Sequence, residues 1–268
     1  MGLSLYYEWK TKCDLSAARR MIARFHALAG KLPFDEVSEI YEQDPPEGDA
    51  MFRVYDGPFR QGDLYVSRKR ADGDSENVLV PATHAMFFWA NVEGAESAAI
   101  GFASHPPVVV HREDVIKRNK DGTEFERRIG AGKPIEFPTK RRGYFSWHSF
   151  CKTQYAGNPK LGGETNFLKA HLTLIELLDQ IRSAGVNVRI RDDSGYAKHR
   201  DVNRLLGTLR EWDAVIARFV GRLGDQLGDE AGLMAPIKDR PDFEHLEAKG
   251  MDVLKKIAAR QRRRKRGR

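Results

Sequence analysis

The sequence predicts an α+β fold built from two related βαβ-type halves that share one mixed or antiparallel sheet, with helices packed on one face. Strand-like and helix-like segments alternate along the chain, and one segment is repeated. With 268 residues, 41% hydrophobic and 31% charged, the chain can bury a core. Two cysteines exclude a disulfide framework, and no run of 18 apolar residues could span a membrane. We therefore expect a soluble, cytoplasmic protein that makes no membrane contact.

The repeat consists of two octapeptides, YYEWKTKC at residues 6–13 and YFSWHSFC at residues 144–151. They align without a gap and share Trp at the fourth position and Cys at the eighth. The chain contains only four Trp and two Cys, so this shared spacing favours duplication over coincidence. We expect pseudo-halves over about 1–104 and 140–228.

The first half begins with a strand over 4–12 and a helix that Asp14 caps and that runs to about residue 30. A strand over 34–41 completes the unit. Further short strands are expected between turns rich in Pro, Gly and Asp, over 51–55, 64–67, 85–92 and 98–103. Residues 105–139 link the halves, and an Asn-Lys-Asp-Gly turn there predicts a hairpin ribbon.

The second half repeats the pattern with a strand over 144–155, a helix over 164–183 and a strand over 186–191. Asp201 then caps the most strongly amphipathic helix in the chain. Its apolar stripe extends to Leu227, includes Phe219 and is expected in the core. We expect a duplicated body over 1–228, followed by a linker and a basic helical tail over 229–268.

The basic charge of the chain is concentrated in this tail. Residues 249–268 contain ten Lys or Arg and one acid, a net charge of +9, whereas the whole chain carries +7 and the rest therefore −2. The tail has the pattern of an amphipathic helix, with Gly250 as a weak point. Such a charge run predicts nucleic-acid binding, or binding of an acidic protein; a merely solvated, disordered tail is the alternative. The candidate contacts are Lys255, Lys256, Arg260, Arg262, Arg263, Arg264, Lys265 and Arg266.

Strand alternation assigns the two repeats a common face and a divergent face. The common face carries Trp9, Trp147, Cys13 and Cys151, which we expect in the core, with both thiols inert. The opposite face differs between the copies and is where a site is expected. Its residues are Glu8, Lys10 and Lys12 in the first copy, and Ser146, His148, Phe150, Lys152 and Gln154 in the second.

An enzyme acting on a phosphate-containing or nucleotide substrate, resembling a nuclease or toxin, is the alternative function. Its catalytic candidates are Asp193 and His199, since a carboxylate and an imidazole at a strand end can do acid/base work. Glycines before a helix can hold phosphate, although the order of a P-loop is missing. The anion-binding candidates are Lys152, Gly162, Gly163 and Arg200. A plain turn and a flexible loop explain the same residues structurally.

Other chemistry has little support in the sequence. His171 could join Cys151 and an aspartate in a triad, but a histidine on an apolar stripe is more typical of a hydrogen-bonded core residue. The eight histidines show no zinc signature, so neither metal nor cofactor is expected. The leading hypothesis is a non-enzymatic accessory subunit that docks on nucleic acid or on an acidic protein through its tail. A purely structural interaction protein is the third possibility.

Overall fold

The computed structural model describes residues 3–43, 62–69, 73, 75–112, 115–121, 123–128, 132–227, 237 and 240–266. Its architecture is mixed α+β with one large antiparallel sheet, as the sequence predicts. The strands are β1 Ser4–Lys12, β2 Glu36–Val37, β3 Tyr41–Gln43, β4 Leu64–Lys69, β5 Ser75–Val80, β6 His84–Asn91, β7 Ala98–Ser104, β8 Val108–Arg112, β9 Val115–Arg118, β10 Glu124–Arg128, β11 Pro134–Pro138, β12 Tyr144–Lys152 and β13 Arg189–Asp192. The helices are α1 Leu15–Ala29, α2 Glu164–Ser183, α3 Tyr196–His199, α4 Val202–Leu227 and α5 Phe243–Arg266, with 3-10 turns at Thr153–Gly157 and Pro159–Leu161.

The large sheet has the strand order β13-β1-β12-β7-β6-β2. Strand β2 pairs with the C-terminal end of β6, and β3 pairs with its N-terminal half. Three separate ribbons accompany it, β4 with β5, β8 with β11 and β9 with β10. The β9–β10 ribbon is the hairpin that the turn signal predicts. The partner of β8 is β11, a strand that the sequence analysis missed because its two prolines obscure the pattern.

Strands β1 and β12 form the longest ladder of the sheet. All nine residues of each strand pair, and Trp9 lies directly opposite Trp147. Side chains on the inner face of this pair meet α1 and α2 in one hydrophobic core. Trp9, for example, packs edge-on against Phe25 of α1 at 6.5 Å between ring centroids. The prediction that the common face of the two octapeptides is buried is therefore confirmed for both Trp residues.

Two βαβ units can be traced in the sheet. Strands β1 and β2, joined through α1, run parallel, and so do β12 and β13, joined through α2. The first pair has three strands between its members, whereas the second has one. The two repeated octapeptides pair with each other, but their partner strands lie at unequal distances. Duplication therefore stays a hypothesis based on the sequence.

The ladder between β12 and β7 is short. Only Phe145 and Ser146 pair with β7, and beyond them side chains replace the backbone bonds. Trp147 Nε1 and Tyr7 Oη both donate to the Ala99 carbonyl, at 2.8 and 3.0 Å. The Trp147 ring also needs Gly101, because a Cβ there would come within 2.7 Å of it. This large side chain thus fills the gap that the diverging strands leave.

The helix boundaries follow local signals. Asp14 Oδ1 accepts a hydrogen bond from the Ala17 amide at 2.7 Å, and Asp201 Oδ1 accepts one from Arg204 at 3.1 Å. Gly185 adopts φ +97° just after α2, a conformation that favours glycine. The predicted bounds of α2 are confirmed. One expectation is wrong, since Phe219 of the α4 stripe is 54% exposed.

Helices α4 and α5 form a hairpin that is held to the body at its first end. Leu205 and Leu209 pack against Leu3 and Phe167. At the other end, Leu246 of α5 packs on Ala214 and Ala217 of α4. The crossing is close at Gly250, where a Cβ would meet the Ala214 carbonyl oxygen at 2.3 Å. Gly250 is therefore a packing position rather than a weak point.

A buried polar chain joins this hairpin to the N-terminus. Gln154 Oε1 accepts from the Leu3 amide at 2.8 Å, and its amide donates to Asp213 Oδ1 at 2.9 Å. Arg240 donates to the other oxygen of Asp213 at 2.7 Å.

The predicted strand over 51–55 and most of the predicted linker over 229–242 lie outside the described residues. The predicted domain boundary stays a prediction.

Replacing Gly250 with alanine should loosen the α4–α5 crossing. The new methyl group would collide with backbone of Ala214, so we expect a loss of about 1–3 kcal/mol in stability, larger than the gain in helix propensity. Gly207→Ala is the matched control, because a Cβ there meets nothing within 4 Å and should stabilise by about 0.5–1 kcal/mol. Thermal unfolding followed by circular dichroism compares the two. Equal stabilisation by both substitutions would contradict the close crossing.

Candidate functional site

The side of β13, β1 and β12 that faces away from α1 and α2 is called here the outer face. The strand register places directly opposed side chains together on it, so that Tyr6 lies between Arg191 and Phe150, and Glu8 between Arg189 and His148. Lys10 lies opposite Ser146. The divergent face predicted from the repeats is therefore a continuous surface, to which β13 adds two arginines.

An aromatic cluster occupies one end of the outer face. Phe150 is 46% exposed and stacks on Tyr6 with 5.9 Å between ring centroids. The Arg191 guanidinium lies 3.9 Å from the centroid of the Tyr6 ring. Lys152 Nζ lies 5.6 Å from both the Phe150 and Tyr155 rings. Such exposed rings with cations beside them can stack on a flat aromatic ligand.

A groove runs along this face. One part encloses about 780 Å³ between the outer face, β4 and the segment 139–141, and a second part encloses about 350 Å³ near Tyr6. The two parts share Glu8, His148 and Arg189. From Tyr6 to Lys10 the outer face extends about 13 Å, at roughly 3.3 Å per strand residue. The groove is long enough for an extended ligand.

Positive charge dominates the groove. Among the described residues that line it, the only acid is Glu8, against the cations Lys10, Lys140, Arg141, Arg189 and Arg191. Lys10 is held in place, since it donates to the Lys140 carbonyl at 3.1 Å and lies 3.9 Å from the centroid of the Tyr144 ring. Loss of water around its ammonium, and next the charge of Arg141, lower the pKa of Lys10.

Two histidines near Arg141 have a pKa below the usual value for histidine. Burial lowers the pKa of His148, and the Arg141 charge lowers it further although Glu8 acts in the opposite sense. Burial is also the main reason that the pKa of His105 falls to about 4, against a smaller opposing effect of its hydrogen bond to the Gly62 carbonyl. Burial, the main cause, disfavours charge of either sign, and only the smaller effect of Arg141 favours an anion as ligand.

Three residues lining the groove have a buried polar atom without a hydrogen-bond partner among the described residues: Trp9 Nε1, Ser146 Oγ and His148 Nδ1. Ser146 is only 3% exposed. Buried polar groups normally find a partner, because an unpaired one costs about 1–3 kcal/mol. The groove therefore offers hydrogen bonds that the protein does not itself use.

The catalytic candidates from the sequence have structural partners elsewhere. Asp193 accepts from the Ser4 amide at 3.3 Å, and His199 Nδ1 accepts from the Asp201 amide at 3.0 Å. Arg200 forms an ion pair with Asp179 at 2.6 Å. These contacts account for the three side chains without a ligand, and none of the three lines the groove.

The other anion-binding candidates lie apart from Arg200. Lys152 ends β12 and pairs with Glu96 at 3.0 Å. Gly162 and Gly163 precede α2, and their amides donate within their own loop, to Pro159 and Asn158. Gln154 departs from the divergent face, because the chain has already turned into a 3-10 helix that buries it.

His171 belongs to a buried network rather than to a triad with Cys151. Its ring nitrogens contact Thr153 Oγ1 at 2.9 Å and Ser194 Oγ at 3.3 Å. Asp192 also lies 3.5 Å from it, and although burial opposes ionisation, His171 and backbone donors lower the pKa of Asp192 to about 2. Burial raises the pKa of Cys151 to about 12, so this thiol is a poor nucleophile.

The tail candidates lie on the last turns of α5, and for most of them the structure describes the backbone alone. Lys255 is exposed and lies 3.8 Å from Asp252. The groove residues that are not singled out from the sequence are Arg189 and Arg191. An Arg-Ile-Arg alternation in β13 is the available signal for both, but pairing of β13 with β1 cannot be read from it.

The stability of the protein should fall as the pH drops from about 6.5 to 4. His105 has a lower pKa folded than unfolded, so protonation favours the unfolded chain, by up to about 3 kcal/mol for a shift of this size. His105→Gln keeps a donor for the Gly62 carbonyl but cannot titrate. Denaturant unfolding at pH 7.5 and 4.5 should show a smaller loss in this variant. The same loss in both proteins would contradict the assignment; His148 accounts for a residual pH dependence.

Comparison with other proteins adds no assignment to this geometry. No helix in the described part of the chain is long and apolar enough to cross a membrane, and the same residues contain no group of three potential metal-ligating side chains. No protein-family model, curated protein or solved structure matches the chain.

Proposed function

We propose that this protein binds single-stranded nucleic acid along its outer face, with the basic end of α5 as a second, electrostatic contact. The observation that carries the proposal is the exposed Phe150 ring, stacked on Tyr6 beside the Arg191 guanidinium. Bases of a single strand are free to stack on such rings, whereas those of a duplex are not.

The position of the rings supports this function. Helices α1 and α2 pack on the inner face of β1 and β12. Phe150 keeps 46% of its surface exposed on the outer face while it stacks on Tyr6, so part of its ring is available to a ligand. Cations on both sides of the aromatic cluster, Arg189 and Lys152, lie where the phosphates of a stacked strand would pass.

The charges of the groove supply affinity in the same way. Each phosphate that meets a Lys or Arg releases condensed counterions, which favours binding at low salt. Glu8 contacts Arg189 at 3.5 Å and so offsets part of the charge in the middle of the groove. The remaining cations lie at its two ends, Arg191 at one and Lys10 with Arg141 at the other.

The basic end of α5 contributes to nucleic-acid binding separately from the groove. Val253 of α5 still packs near α4, whereas the basic run 262–266 begins more than two turns further along the helix. Its charge supports non-specific contact with phosphates. An acidic protein would satisfy the same charges, and binding to such a protein without any nucleic-acid affinity is the outcome that would replace this proposal.

Phe150→Ala should weaken binding of a short single-stranded RNA or DNA about tenfold or more, because base stacking contributes about 1–3 kcal/mol. Fluorescence anisotropy with labelled oligonucleotides of both kinds measures the effect and shows which sugar is preferred. Phe219→Ala is the matched control, since this Phe is exposed to a similar extent, 54% against 46%, but lies on α4. Equal affinities for wild type and Phe150→Ala, or equal losses in both variants, would contradict binding at the outer face.

Replacing residues 262–266 with glutamine should reduce the salt dependence of binding without removing it. For single strands the slope of log K against log salt changes by about 0.7 for each phosphate that the variant no longer neutralises. Substitution is preferable to truncation, which would also remove packing of α5 on α4. Phe150→Ala should leave the slope near its wild-type value while weakening affinity. An unchanged slope in the glutamine variant would remove the tail from the interface.

A further inference from the structure

Ser146 is one of the least exposed polar residues that line the groove. Ser146 lies opposite Lys10 in the β1–β12 ladder and lines the larger part of the groove. It is 97% buried, because 3% of its surface is exposed, and its Oγ has no hydrogen-bond partner among the described residues. A buried hydroxyl without a partner carries a free-energy cost, which a ligand that bonds to it would recover.

The surroundings of Ser146 select an anion as that partner. Three cations line the same part of the groove, Lys10, Lys140 and Arg141. The only acid among its described lining residues is Glu8 of β1, which lies opposite His148. His148 contributes a second buried atom without a partner, Nδ1. A hydroxyl, an imidazole nitrogen and a guanidinium together match the oxygens of phosphate, which accept several hydrogen bonds at once.

The depth of the site distinguishes a terminal phosphate from an internal one. An internal phosphodiester has a sugar on each side, so it approaches best at the surface of a groove. A phosphate monoester protrudes from the end of its strand and carries up to two negative charges. Only a protruding group would reach a hydroxyl that is 3% exposed.

We propose that Ser146, His148 and Arg141 bind a phosphate monoester, the terminal phosphate of a single strand whose bases stack near Phe150. This inference rests on the proposed function, because the strand is taken from it. It adds a preference for one kind of strand end, which neither the aromatic cluster nor the tail provides.

Competition binding of three strands tests the inference on the full chain. The strands are oligouridylates of about eight residues with a 5′-phosphate, a 3′-phosphate or hydroxyls at both ends. We expect one phosphorylated strand to bind about tenfold more tightly than the hydroxyl strand, the effect of one or two charge-assisted hydrogen bonds. Ser146→Ala and Arg141→Gln should each bring this ratio close to one.

Two controls separate recognition from folding. Arg142→Gln removes a neighbouring charge outside the groove lining and should keep the wild-type ratio. Ser146→Ala should not lower the melting temperature, since the hydroxyl has no partner within the described chain. A variant that loses the ratio only because it unfolds would therefore be recognised.

The outcomes distinguish this inference from the proposed function. Equal binding of all three strands would overturn phosphate recognition and leave the proposed function standing. Binding of uridine 5′-monophosphate without binding of any strand would overturn the proposed function and leave phosphate recognition standing. A failure of every probe to bind would overturn both.

Discussion

The antiparallel pairing of β1 with β12 determines most of what this protein can do. It fixes nine consecutive residue pairs and places Trp9 opposite Trp147. Because strand side chains alternate, this register sends one set into the core with α1 and α2 and leaves the other set on the outer face. A shift of β1 by one residue would bury Glu8 and Lys10 and expose Trp9. The core and the groove are thus specified by the same pairing.

The gap between β12 and β7 is the second consequence of this arrangement. Backbone pairing ends after Ser146, and the Ala99 carbonyl instead accepts from Trp147 and Tyr7. An unpaired carbonyl there would be costly, so the two side chains are fixed where the strands separate. Ser146 is the last β12 residue in this ladder, which explains how a small polar residue of a central strand comes to lie deep in a groove.

Local structure could be predicted from the sequence to a considerable extent. The caps Asp14 and Asp201, the bounds of α2 and the burial of both Trp residues follow from short-range signals. The order of the strands in the sheet could not be predicted, since pairing of β1 with β12 joins segments more than a hundred residues apart in the sequence. Gly250 shows that helix packing, too, could not be predicted from the sequence. Helix propensity marks this glycine as destabilising, whereas in the fold it allows the close crossing of α4 and α5.

The candidate site likewise combines local features that the sequence predicts with tertiary features that it does not. Alternation in one strand identified the face that carries Lys10, His148 and Phe150, but the arginines of β13 and the segment 139–141 reach that face only through tertiary structure. Residue type suggests Asp193 and His199 as catalytic candidates, and in the fold Asp193 accepts from the Ser4 amide at the start of β1, whereas His199 accepts from the Asp201 amide just before α4. Residue type alone does not separate a turn from a site, and a catalytic role for these two residues stays a prediction.

Net charge is a poor guide to where this protein attracts anions. Without residues 249–268 the chain has a net charge of −2, yet the described lining of the groove has five cations and one acid. The difference arises because many cations elsewhere are neutralised locally, as in Arg200 with Asp179 and Arg210 with Glu164. Such pairs contribute little field at a distance, whereas cations gathered in a concave surface reinforce one another. Recognition by the groove therefore depends on which charges the fold leaves together, and the tail adds to that field without defining it.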